Sequence, residues 1–352
     1  MLDRDIKLSN MKGLLIFLVV FGHLVSPYQE KFNGLYLFVY SFHIPLFVLV
    51  SGYFAKRANF QKICNFVLLY LIFQFLYKFY VILVNPRRDF ELTYDQPYYH
   101  LWYLTSMAAW YFIAVIVNKL KLNNRNKIIL IICCFVVGTL SRGVTPHLAG
   151  WLKDYGIYFE SHSFSYQRTL TFLPFFMIGM FLSKEGMEKL YNSLKGRKLL
   201  PTLVMLGVFA YFVVADCKNY ENILKGSYGF DEMKGNAILK IGQISFLYVI
   251  AIVMCYIVLN LVSSKMCFIT KWGENTLPVF LFHRFITKII KNIDYLYDVN
   301  KYVLLALIIM MDVLIISILS TETFTKYTYY LWNPLKTVKL ICEKVRPSYN
   351  QN

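Results

Sequence analysis

His23 stands eleven residues after Lys12 inside one apolar run, and His43 lies in the next, in Phe42-His43-Ile44-Pro45-Leu46-Phe47. A third histidine sits beside an arginine, His283-Arg284, at the end of Leu277-Pro278-Val279-Phe280-Leu281-Phe282. Arg142 and Arg168 border two further apolar runs. An ionisable group at membrane depth costs about 3 kcal/mol or more unless it is paired or faces a wet cavity. So many retained groups predict a polar chamber inside a membrane protein. Neutral imidazole accepts a proton near neutral pH, which suits a general base acting on a hydroxyl. A guanidinium can polarise a carbonyl oxygen or bind phosphate.

Each group also has a plainer reading. Buried histidines can be satisfied by hydrogen bonds between helices, and an arginine at a membrane edge can extend its head to water. At 1.5 Å per residue, Lys12 and His23 lie about 16 Å apart along a helix. Pro45 removes a backbone donor and is placed to bend the chain beside His43. Ser51 and Gly52 allow a close helix approach or simply mark the end of that run.

The elements that position these groups are read from composition and apolar runs. The chain is 57% hydrophobic and 16% charged, well below the roughly 25% charged residues of a soluble domain. Apolar segments fall near 12–27, 34–54, 63–84, 101–117, 128–145, 167–183, 199–216, 237–262, 274–290 and 302–320. The expectation is an all-α integral membrane protein with about ten transmembrane helices of roughly 20 residues each. An even count puts both termini on one side. Basic residues crowd that side, Lys56, Arg57, Lys62, Lys119 and Lys121 among them, so the N and C termini are expected to be cytoplasmic. The first run lacks a cleavable signal pattern and reads as a retained span. Residues 1–325 are read as the membrane domain and 326–352 as a basic cytoplasmic tail able to lie against anionic lipid.

Connections near 84–100 and 146–166 are long, charged and aromatic, and either can carry substrate contacts or serve as a soluble link. The net charge of +17 is spread in short blocks between apolar runs, without zinc-finger spacing or a helix-turn-helix, so nucleic acid is not expected as a partner. The seven cysteines show no metal-ligand spacing and read as packing residues, and no metal is expected.

At these residues the sequence resembles membrane-bound acyltransferase family 3, especially fucose 4-O-acetylase-like and capsular or exopolysaccharide O-acetyltransferases. The likeness rests on KGLLIFLVVFGH from Lys12 to His23, FHIPLFVLVSGY from Phe42 to Tyr53, HLWYL from His100 to Leu104, Arg168 to Gly179, and LPVFLFH from Leu277 to His283. It covers nearly the whole chain. The resemblance implies transfer of an acetyl group from cytoplasmic acetyl-CoA to a hydroxyl of a cell-surface or lipid-linked sugar. It implies a bacterial plasma membrane setting and envelope-polysaccharide assembly proteins as possible partners.

By the same likeness His23 is the catalytic base. The likeness also matches Lys12 and His43. From side-chain chemistry, His43 and Arg168 are expected to be catalytic, with Arg142 an alternative to Arg168 at the oxyanion, and Lys12, Arg142, His283 and Arg284 are expected at the acyl donor. Ser9 stands where many relatives carry an aspartate, with Asp5 nearby as a substitute. A transporter of a lipid-linked sugar or related envelope precursor is the alternative.

Overall fold

The computed structural model describes residues 5–84, 92–215, 217 and 220–345. Arg87, Arg88, Asp89 and Glu91 of the first long connection lie outside the described residues. The chain is helical throughout the bundle. In order come α1 (Ile6–Val25), α2 (Gln29–Tyr40), α3 (His43–Phe54), α4 (Phe60–Val84), α5 (Trp102–Lys119) and α6 (Asn124–Asp154). Then follow α7 (Tyr166–Phe181), α8 (Lys184–Asn192), α9 (Leu199–Val214), α10 (Tyr220–Lys225), α11 (Ala237–Leu261) and α12 (Phe268–Glu274). The last are α13 (Thr276–Lys291), α14 (Tyr295–Asp298), α15 (Lys301–Leu319), α16 (Glu322–Tyr327), α17 (Tyr329–Trp332) and α18 (Pro334–Val345).

Six helical stretches among the described residues, not ten, are long and apolar enough to cross a membrane: Ile6–Arg57, Phe60–Val84, Tyr99–Lys119, Asn124–Asp154, Ala237–Leu261 and Lys301–Leu319. The expected runs 12–27 and 34–54 merge into the first of these. The runs near 167–183, 199–216 and 274–290 form α7, α9 and α13, each of 16 residues. Such a helix is about 24 Å long and falls short of the roughly 30 Å hydrocarbon core. Apolar content therefore overcounted spans, because α7 and α13 bury their apolar residues within protein. The cytoplasmic placement of both termini rested on assigning the basic loops to sides through ten alternating spans, and the six stretches divide those loops differently, so that assignment falls with the count. The protein is a multi-pass membrane protein. Its outer helices turn apolar side chains outward, as Phe75, Phe79 and Leu83 of α4 and Ile132, Val136 and Leu140 of α6 do, which suits contact with lipid.

Two seams hold the inner helices. A Cβ on Gly52 would lie 2.0 Å from the Phe176 carbonyl oxygen, and one on Gly179 would lie 1.9 Å from that of Leu49, so α3 and α7 touch backbone to backbone. A Cβ on Gly13 would lie 2.1 Å from the Ile269 oxygen, and one on Gly273 only 1.7 Å from that of Ser9, which locks α1 to α12. Buried Asn10 reinforces the second seam by donating to the carbonyls of Ser263 and Lys265, both at 2.8 Å. Small residues permit this approach where no hydrophobic force drives helices together in lipid.

The break between α2 and α3 has a local cause. Pro45 has no N–H for the carbonyl four residues back and its ring clashes there. That carbonyl belongs to Ser41, where α2 ends. Pro45 then sits in the first turn of α3, a position that tolerates it. His43 thereby becomes the first residue of a new helix.

Candidate active site

His23 occupies the last turn of α1 and is half-buried. It faces a chamber of about 380 Å³, within the range of about 300–1,000 Å³ usual for small-molecule sites. His43, Arg168 and Arg284 line the same chamber, and so does His100, which precedes α5. Tyr36, Tyr40, Tyr99, Trp102, Tyr103 and Tyr228 supply aromatic walls. No acidic side chain lines the chamber among the described residues.

Three imidazoles cluster at one wall. The His23 ring lies 5.2 Å from that of His283 and 6.0 Å from that of His100, and His100 and His283 are 5.1 Å apart. His283 Nδ1 donates to the Val279 carbonyl at 3.0 Å, and His43 Nδ1 donates to the Val39 carbonyl at 2.8 Å across the α2–α3 break. A ring nitrogen facing a carbonyl carries the proton, which leaves Nε2 as the acceptor in each neutral ring. Nε2 of His283 and both ring nitrogens of buried His100 have no hydrogen-bond partner among the described residues. These four histidines keep acceptor capacity within or beside one cavity. No group of histidines, cysteines and acids among the described residues could hold a metal ion.

The two chamber arginines are held differently. Arg284, buried in α13, lies 4.5 Å above the Tyr99 ring and donates to Thr287 Oγ1 at 3.4 Å, while its Nε has no hydrogen-bond partner among the described residues. Arg168, in the first turn of α7, donates to the Lys225 carbonyl at 3.2 Å and to Ser227 Oγ at 3.3 Å, and stacks 5.1 Å from Trp102.

The remaining expected residues are set apart. Arg142 points into a separate cavity of about 30 Å³ behind Tyr40, donating to the Ile223 carbonyl at 3.0 Å and to Thr171 Oγ1 at 3.4 Å. Lys12 lies outside the chamber wall, its ammonium 5.5 Å from the Phe54 ring. Eleven residues make just over three helical turns, so Lys12 and His23 share a face of α1 to within about 20°. Along α3, Ile44, Phe47, Ser51 and Phe54 form a matching stripe from the chamber to Lys12. Asp5, the suggested stand-in for the missing aspartate, caps α1 by accepting from the Leu8 N–H at 3.0 Å. It also accepts from Tyr191 at 3.1 Å.

His100 is the residue that reasoning from apolar runs left out of the site. It lies before its run rather than within it, although HLWYL marked the spot. Its position is fixed from α4: Gln74 donates to the carbonyls of Thr93 at 2.7 Å and Gln96 at 3.0 Å, and accepts from the Tyr98 N–H at 2.8 Å. Tyr77 meets the His100 ring edge-on at 5.1 Å.

A family model described as an acyltransferase domain, Acyl_transf_3, matches residues 5–322. The chain belongs to that family. It is 39% identical over 67 residues to nodulation protein NolL of Sinorhizobium fredii, covering 15% of this chain and 16% of the relative. It is 34% identical over 73 residues to nodulation protein NolL of Mesorhizobium japonicum, covering 17% of this chain and 18% of that relative. The chain thus spans under a fifth of the length of either curated relative. No solved structure matches it.

Proposed function

We propose that this acyltransferase-family membrane protein moves an acetyl group from acetyl-CoA to a hydroxyl of a cell-surface or lipid-linked saccharide. The support is one arrangement: a half-buried histidine faces a chamber walled by aromatic rings and two arginines. Aromatic faces suit the apolar faces of a sugar ring, and an imidazole beside them suits removal of a hydroxyl proton. The two relatives are named for nodulation, and the acceptor proposed here rests on the chamber.

In the proposed reaction His23 takes the proton from the acceptor hydroxyl. The oxygen attacks the thioester carbonyl carbon, and negative charge gathers on the carbonyl oxygen. Arg284 or Arg168 stabilises that oxyanion. The C–S bond then breaks, and the departing sulfur takes the proton back from His23. The products are an O-acetyl saccharide and CoA. Lys12, about 16 Å below His23 on the same face of α1, meets the nucleotide phosphates of the donor, and the slender arm between them follows the α3 stripe. His43 and His283 flank the reacting centre through their Nε2 atoms.

The test is purified protein, labelled acetyl-CoA and surface glycan from cells lacking the protein. His23→Gln should lower label transfer by about 10²- to 10⁴-fold, the usual worth of a general base, while acetyl-CoA binding persists. Transfer at the normal rate by that variant overturns the assignment of His23, and absence of transfer by the unaltered protein overturns the reaction.

A further inference from the structure

Beside the chamber lies a second cavity of about 230 Å³. Pro97, His162 and Arg168 belong to the walls of both, so the two spaces adjoin. The rest of the side cavity is lined by Gln96, Glu160, Ser161, Ser165 and Ser227, every one of them polar. The main chamber, by contrast, is rich in aromatic rings.

Two loops far apart in sequence build most of this side cavity, with Ser227 added from the loop after α10, and the two are tied together. The Phe164 N–H donates to the Asp95 carbonyl at 2.5 Å. Gln74 fixes the first loop from α4, as described above. In the second, Phe164 and Ser165 both adopt left-handed backbone, with φ of 48° and 58°. Such backbone is costly for a non-glycine residue and persists where surrounding structure insists on it. The strain turns the chain so that Ser165 joins the cavity wall and α7 starts with Arg168 facing both spaces.

We propose that the side cavity is a saccharide subsite, and that the acceptor is therefore an oligosaccharide of at least two rings. One ring presents its hydroxyl to His23 in the aromatic chamber, and its neighbour sits among the polar side chains next door. This rests on the saccharide-acceptor function proposed above and specifies its substrate. The wall chemistry selects among ligands. Glu160 accepts hydrogen bonds from hydroxyls, the Arg168 guanidinium donates, and Gln96 and the serines do both. A lipid tail or the donor's alkyl arm would leave these groups unpaired. A phosphate would meet the carboxylate of Glu160. A neutral sugar ring, with hydroxyls around its rim, satisfies both signs at once.

The experiment uses the full-length protein in detergent and surface glycan from cells lacking it, cut by mild hydrolysis into monosaccharides and fragments of two to four rings. Binding is measured by calorimetry and acetyl transfer by label from acetyl-CoA. Fragments of two or more rings should bind, and be acetylated, at least about tenfold better than the monosaccharides. Ser227→Phe and, separately, Glu160→Gln should shrink that ratio severalfold, chiefly by raising the KM of the longer fragments. Equal binding of monosaccharides and longer fragments overturns the subsite, as does a ratio unchanged in both variants. Acetyl transfer without length preference would remove the subsite and leave the reaction standing. Length-dependent binding without transfer would remove the reaction and leave the subsite.

Discussion

His162 stands at the junction of the two cavities, half-buried, beside Ser161, Glu160, Arg168 and Tyr228. Burial, and after it the charge of Arg168, holds its imidazole below the ordinary value of 6.5, with Glu160 pulling the other way. The folded protein therefore takes up this proton at lower pH than the unfolded chain does. Stability is complete above 6.5 and declines as pH falls below it, because the unfolded form is protonated first. Melting temperature in detergent should drop more steeply between pH 7 and pH 5 for the native sequence than for His162→Gln. Superimposable profiles would show that folding, through burial and Arg168 together, does not lower the proton affinity of His162. The same neutral ring can donate to and accept from a sugar hydroxyl, a duty that a protonated imidazole performs only as donor.

At the scale of elements, the glycine seams decide how firmly the site is held. Gly179→Val should lower stability by about 3 kcal/mol or more, above the usual range for overpacking, because the added carbon meets the fixed Leu49 carbonyl rather than a movable side chain. Gly207, with open space around its Cβ position, serves as the control, and Gly207→Ala should leave the melting temperature unchanged or slightly raised. Equal melting shifts for the two variants would contradict the seam. These seams also mark what could be read from the amino-acid order. Ionisable groups in apolar runs announced a polar interior, and His23, His43, Arg168 and Arg284 do share one cavity. Arg142 did not reveal its facing, because its rotation about α6 depends on how α6 packs against α7. The number of spans was equally hidden. A helix apolar because it is wrapped in protein, such as α7, has much the same composition as one bathed in lipid, such as α4. Length separates them, but the ends of α7 and α13 blur into neighbouring apolar residues.

For the whole molecule, the outer helices define which surface meets hydrocarbon. Cys133 is exposed on α6 within a stretch suited to cross the membrane, while Cys267 is exposed at the start of short α12. In single-cysteine proteins in open membrane sheets, a water-soluble maleimide should label Cys267 readily and Cys133 at least tenfold more slowly, since only the hydrated thiolate reacts. Rapid labelling of Cys133 would place α6 in water. Within that belt, the backbone-locked pairs α1–α12 and α3–α7 leave little room to give. Between α3 and α5, contact is made by side chains: the Ser51 and Tyr103 hydroxyls meet at 2.7 Å, and Phe47 lies edge-on to Tyr103 at 5.6 Å. These groups stand between Lys12 and the histidines along the route proposed for the donor's arm. Unlike the two glycine seams, this contact can yield by side-chain rotation alone, and it lies where a thread would have to slip through. One tyrosine swinging aside would act as a valve, admitting a loaded thioester while keeping bulk water from leaking across.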